Sequence, residues 1–169
     1  HHENCFFAGS RARKLSVTAY VEWVLGVSRS AAAPFVVTEI DSQTGAMLAR
    51  NTWNRDFGAR VAFADLGGAQ TAWTGDRAEF FGRNGTPEHP AALERGGRLS
   101  GRVGAGLDPC GALQATIELP AGGRAEVVFF LGEAATREEA GELIGRYRTA
   151  DLAAVLRAVA ERWDDVLGT

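Results

Sequence analysis

Seven carboxylates stand where they could do chemistry: Glu22, Glu39, Asp41, Asp65, Asp76, Glu79 and Glu88. General acid–base catalysis asks for carboxyl groups placed about one bond, with one of them held protonated near neutral pH. Glu39 and Asp41 are two residues apart, so on a strand they share a face. A paired-carboxylate site is conceivable there, and a solvated sheet face is the plainer reading of the same two residues. Glu22 falls on the polar face of its own strand and reads the same way. His89, in PEHP, has no Cys or His partner at metal-ligand spacing, which argues against a metal site. Cys110, in DPCG, has no histidine near it, which argues against a nucleophile. The glycine pairs Gly67–Gly68, Gly96–Gly97 and Gly122–Gly123 read as hairpin ends, and none opens a helix as a phosphate-binding loop would. No cofactor is expected.

The stretch TAWTGDRAEFFGRNGT, Thr71 to Thr86, supports two readings. As a site, Trp73 would offer a ring face and Arg77 or Arg83 donors, the composition of a carbohydrate-contacting loop. As a corner, Asp76 and Arg77 would bond exposed backbone groups, followed by Phe80 and Gly82. Read as an extended segment, it sends Phe80 and Phe81 to opposite sides, and Asn84–Gly85 signals a hairpin turn. These residues favour the corner. Trp53, in NTWN among turn residues, is the better candidate for an exposed ring, whereas Trp23 falls on an apolar strand face and reads as core.

The elements that must position these residues are mostly strands. KLSVTAYVEWVLG alternates with period two: Leu15, Val17, Ala19, Val21, Trp23 and Leu25 on one face, Ser16, Thr18, Tyr20 and Glu22 on the other. SRSAAAP reads as a loop, and PFVVTEID, AMLARN, RVAFADLGG and AQTAWTG as further strands. ATIELPAGGRAEVVFFLGE reads as a hairpin turned at Ala121–Gly122–Gly123. Strands with no helices between them imply an antiparallel sheet or sandwich as far as Gly132. At Thr136 the period changes. TREE is a capping box, with Thr136 as cap and Glu139 reaching back, and Ala140, Leu143, Ile144 and Tyr147 follow at helical spacing. A second helix starts near Thr149 and carries a stripe of Leu152, Val155, Leu156, Val159, Trp163, Val166 and Leu167. That stripe must bury against the sandwich, a further helical domain or a neighbouring chain.

Composition excludes some classes. The 169 residues carry 21 acids against 18 bases, a net charge of −3, which gives no reason to expect nucleic acid as a partner. No apolar run approaches the roughly 20 residues of a membrane-spanning helix, and no signal peptide is visible. The two cysteines, Cys5 and Cys110, do not form a disulfide framework. The opening HHENCFFAGS resembles a histidine tag with a protease-cleavage linker, and residues 1–10 are set apart on that ground.

SVTAYVEWVLG, RVAFAD, TGDRAEFFGRNG, GRVGAGLDPCGALQATIEL, EVVFFLGE and AERWDDVLG, in that order, resemble the amino-terminal supersandwich of the family 94 glycoside hydrolases, formerly glycosyltransferase family 36. These are inverting disaccharide phosphorylases such as the cellobiose and chitobiose enzymes, and the wording is nearest to the cyclic β-1,2-glucan synthases. The resemblance implies a mainly β fold: an antiparallel, galactose-mutarotase-like sandwich, part of a supersandwich, over residues 11–133. Linker helices over 134–169 would lead toward an (α/α)₆ barrel that carries the catalytic acid. It implies that the catalytic residues lie outside this chain, and that the partners are a β-glucan or oligosaccharide and the barrel and strands of the same protein. It further implies a soluble domain on the cytoplasmic side of a membrane-bound bacterial parent. An autonomous carbohydrate-binding module and a dimerisation or assembly module are the alternatives. Bare sheet edges add an expectation of self-association.

Overall fold

The structure, a computed structural model, describes residues 2–8 (backbone), 10–94 and 98–168. Strands β1 (His2–Ala8), β2 (Arg13–Glu22), β3 (Val36–Ile40), β4 (Met47–Asn51), β5 (Val61–Asp65), β6 (Ala72–Asp76), β7 (Pro109–Leu119) and β8 (Arg124–Ala134) form two antiparallel sheets. One runs β1-β8-β5-β4-β3 and the other β2-β7-β6. The tag-like residues set apart above thus take part in a sheet, from His2 opposite Phe130 to Ala8 opposite Arg124. Gly96–Gly97 and His1 lie outside the described residues.

The alternation in β2 points Val17, Ala19 and Val21 inward, where they meet Leu113, Ala115 and Ile117 of β7 and Met47, Ala64 and Val127 of the facing sheet. Trp23 joins this core at 3% exposure. Each sheet also buries its outer face. Leu48, Phe63 and Phe130 leave the five-stranded sheet on the far side and pack under Ala140 and Ile144 of helix α4 (Arg137–Thr149). Tyr20, Ala72 and Ala112 leave the three-stranded sheet and pack under helix α2 (Arg77–Phe81) and helix α3 (Ala91–Glu94). The sandwich therefore has a helical layer on each side, and β4 and β5 are buried on both faces, as strands covered twice must be.

Three expectations are corrected here. Helix α1 (Arg29–Ala32) and a 3₁₀ turn (Ala33–Phe35) occupy the segment read as a small-residue loop, and α2 and α3 also fall between strands. Phe80 and Phe81 sit on a helix, not an extended segment, so both are buried. Asn84–Gly85 accordingly lies between α2 and α3 and turns no hairpin. Third, β7 and β8 do not pair. The turn is real, with Gly123 N–H bonded to Pro120 O at 2.9 Å, but it carries the chain from one sheet to the other. Gly67–Gly68 joins β5 to β6 across the sheets in the same way. Alternation fixes which face a residue takes and leaves open which strand lies alongside.

The change of period at Thr136 produces α4. Thr136 Oγ1 accepts from Glu139 N–H at 3.2 Å, while Glu139 Oε2 reaches back to Ala135 N–H at 2.8 Å, one residue before the cap. Two arginines then clamp α4 to the sheet. Arg137 binds Glu39 (2.6 Å) and Asp41 (3.2 Å). Arg148 holds Asp65 through Nε to Oδ2 (2.9 Å) and Nη2 to Oδ1 (2.6 Å), and Asp65 has no exposed surface. Helix α5 (Leu152–Leu167) starts at an Asp151 cap. Leu152 and Val155 are half-buried against the sandwich, but Leu156, Val159, Trp163, Val166 and Leu167 are exposed, Trp163 at 58%. Within this chain the sandwich covers only the start of the stripe: Leu156 and Val159 line a depression beside Phe63, Phe130 and Tyr147, and Trp163, Val166 and Leu167 meet no part of the described sandwich core.

Candidate functional site

The Asp76–Gly82 stretch is built from both ends. β6 stops at Asp76, whose Oδ1 accepts from Ala78 N–H at 3.0 Å and caps α2, while Oδ2 accepts from Arg102 at 2.9 Å. Gly82 closes the helix at φ +72°, and a Cβ there would lie 2.8 Å from the Ala91 Cβ, so only glycine fits both the turn and the contact with α3. Phe80 stacks on Tyr20 at 4.8 Å between centroids, and Phe81 meets Tyr20 edge-on at 4.9 Å. A five-residue helix has little stability of its own. Its cap and these rings hold it.

Arg77 is tied at both ends: its N–H donates to Asp108 O at 2.7 Å and its Nε to Glu22 at 2.7 Å, and the guanidinium lies 4.7 Å over the Phe81 ring. Arg29 completes the group by pairing with Asp108 and, at 3.5 Å, with Glu22. Two guanidinium groups thus face two carboxylates, half-buried, and Tyr20 Oη donates to Glu22 at 3.0 Å. The bond from Arg77 holds the Glu22 carboxyl below the usual carboxylate range. Burial pushes the Tyr20 hydroxyl far above the ordinary phenol range.

The other carboxylates are engaged in the same manner. Burial opposes ionisation of Glu79, but bonds from Ser100 and Thr74 outweigh it and lower its pKa. Burial likewise opposes ionisation of Asp41, and the Thr44 bonds with Arg137 outweigh it. Glu39 pairs with Arg137 and Arg50, so the two carboxylates read as a conceivable pair serve a shared arginine. Glu88 is held below the usual range by the Thr86 side chain. Cys110 is buried, and burial followed by the charges of Asp76 and Asp108 pushes its thiol up to about 12, far from a reactive thiolate. His89 is exposed and faces Glu94 at 3.7 Å. Among the described residues no group of three or more His, Cys, Asp or Glu could hold a metal ion.

The four residues named as sugar contacts do not converge. Trp73 is half-buried against the core, and its Nε1–H donates to Gly101 O at 3.2 Å. Arg77 is committed to Glu22. Arg83 is exposed beside the depression between α2 and α3. Trp53 lies on the β4–β5 loop, at 74% exposure, with its ring 5.1 Å from that of Phe35. The sequence reading missed Phe35, exposed against the Trp53 ring, and Phe57, exposed further along the same loop. Phe57 carries the same signal that marked Trp53, an aromatic among turn residues.

The sequence that folds in this way matches a family model along most of its length. The profile of the glycosyl hydrolase 94 supersandwich domain covers residues 8–150, and the chain belongs to that family. It is 37% identical over 159 residues to the cyclic beta-(1,2)-glucan synthase NdvB of Rhizobium meliloti. The match takes in 94% of this chain and 6% of that protein, so the chain spans a small part of its relative. No helix among the described residues is long and apolar enough to cross a membrane.

Proposed function

We propose that the chain is a non-catalytic β-sandwich portion of a carbohydrate-active enzyme that synthesises cyclic β-1,2-glucan or phosphorolyses β-glucosides. Its work is to hold the helices that lead into the catalytic part. The observation that carries this reading is the state of the carboxylates. Glu22, Asp41 and Glu79 are each bonded within the fold and shifted toward the ionised form. A general acid for glycosidic cleavage must keep its proton near neutral pH, which asks for the opposite shift. The corner of Asp76, Arg77, Phe80 and Gly82 is on this reading a structural staple. The exposed stripe of α5 is a seat for a neighbouring domain or chain, and the module belongs to the cytoplasmic side of a membrane-bound parent.

The test is turnover. The isolated chain, incubated with β-1,2-glucan or cellobiose with and without inorganic phosphate, should release neither reducing sugar nor glucose 1-phosphate above buffer. Turnover that a single carboxylate substitution in this chain abolishes would defeat the reading.

A further inference from the structure

We propose that the β4–β5 loop is a glycan-stacking site, in which Trp53, supported by Phe35, and Phe57 receive pyranose rings while Asn54, Arg55 and Asp56 meet the hydroxyls. The choice of glycan rests on the carbohydrate-active reading above. The loop itself rests on four observations.

The first is exposure against packing. Trp53 and Phe57 are 74% and 61% exposed although the sandwich core lies one strand away. Large rings left in water on a well-packed domain mark a contact surface.

The second is that the loop is fixed. Asn51, itself buried, donates from Nδ2 to Leu25 O at 2.9 Å and accepts Trp53 N–H on Oδ1 at 3.1 Å. Asn54 Oδ1 accepts from both Asp56 N–H and Phe57 N–H at 3.1 Å, and Arg60 N–H closes back on Phe57 O at 3.0 Å. At Gly58 a Cβ would fall 2.5 Å from Asn54 O, so the tight approach of the loop to itself demands glycine. The rings are presented in advance of any ligand, which lowers the ordering entropy that binding must overcome.

Third, polar groups remain unspent. In contrast to the corner, neither Asp56 nor Arg55 has a side-chain partner among the described residues, and no described residue takes the Asn54 amide N–H₂ donors. One carboxylate, one guanidinium and one amide on consecutive residues form a neutral set of donors and acceptors, suited to an uncharged polyhydroxyl ligand.

The fourth is shape. The loop lies between two depressions, one of about 580 Å³ bounded by Thr52, Trp53 and Arg55, the other of about 670 Å³ bounded by Asn51, Phe57 and Arg60. Both fall in the range of small-ligand sites. A pyranose has an apolar C–H face and a hydroxyl edge, and a ring beside short polar side chains complements both. A protein partner of ordinary size would ask for a broader apolar centre than these rings provide.

The experiment titrates the intact chain with β-1,2-gluco-oligosaccharides and, in parallel, cello-oligosaccharides. Tryptophan emission and calorimetry are the readouts. A saturable change with a Kd of about 1 mM or tighter is expected. Trp53→Ala should weaken binding about tenfold or more, the scale on which truncating an anchoring aromatic acts. Phe57→Ala and Asp56→Asn should each weaken it less, Trp53→Phe should keep part of it, and Trp163→Ala should leave it unchanged. All variants are first checked for an unaltered melting transition. Three results would overturn the site: no saturable change up to about ten times that concentration, binding unaffected by Trp53→Ala, or a sugar-independent change that tracks protein concentration and disappears in Trp53→Ala. The last would mark the rings as a protein contact. Absence of binding leaves the non-catalytic reading standing, since that reading fails only on turnover.

Discussion

Replacing Arg148 with methionine removes one half of the buried clamp on α4 and leaves Asp65, which has no exposed surface, without its counter-charge. Methionine fills much of the same volume, so the loss is mainly electrostatic. Stranding a buried charge in this way costs about 3–5 kcal/mol. Here Asp65 Oδ1 keeps the Gln70 amide at 2.9 Å and Gly68 N–H at 3.3 Å, so the lower end applies. Thr44 O also loses the 2.7 Å bond that Arg148 Nη2 gives it. The expected loss is about 3 kcal/mol, which for a domain of this size lowers the melting temperature by about 6–12 °C. Adding Asp65→Asn removes the stranded charge while keeping an acceptor for Gln70, and should return at least half of the loss. Urea denaturation of the two variants beside Arg146→Ala, an exposed arginine on the same helix, measures each step. A loss below about 1 kcal/mol, or a double variant no more stable than the single one, would refute the claim that this pair docks the helix.

Phe80→Ala should cost about 3–5 kcal/mol in the same assay, because the ring is buried and stacked on Tyr20, and a loss under about 1 kcal/mol would show α2 to be dispensable. The folded-state pKa values of Glu22, Asp41 and Glu79 lie below those of the unfolded chain, so their stabilisation is complete above about pH 4.5 and is lost as pH falls through the folded values. Glu22→Gln should therefore flatten the acid limb of stability against pH, and an unchanged slope would count against the corner network. Leu156→Ser with Trp163→Ser should leave the melting temperature within about 2 °C, as both side chains are exposed, while lowering the association seen by light scattering at high concentration. Association unaltered in that variant would point to the edge of β2, which among the described residues pairs on one side only.

The sandwich was legible because period two in β2 runs for ten residues and assigns Val17, Ala19 and Val21 to the core without reference to any partner. The cap of α4 was equally local, since Thr136 and Glu139 complete it between themselves and one neighbour. What was not legible depends on distance along the chain. Arg77 meets Glu22 across 55 residues and Arg29 meets Asp108 across 79, and no spacing rule reaches that far. The helical form of Arg77–Phe81 is set by the Asp76 cap and the Tyr20 ring, so a window on those five residues sees only two adjacent aromatics. The change of sheet at Pro120–Gly123 escaped for a related reason: a turn signal states that the chain reverses, not where it goes. The exposure of Trp53 was readable from the Asn and Thr around it, whereas its support by Phe35, across the two strands β3 and β4, was not.

The central claim, that the carboxylates of this sandwich hold structure and do no chemistry, is tested most directly inside an active parent synthase. Glu22→Gln, Glu39→Gln, Asp41→Asn, Asp76→Asn and Glu79→Gln are introduced one at a time, and turnover per folded molecule is measured beside the melting temperature. The account predicts variants whose melting temperature falls while kcat on the folded fraction stays within about twofold, a change in barrier below about 0.5 kcal/mol. A variant that melts normally yet loses about a hundredfold or more in kcat would place catalysis in this chain and contradict the account.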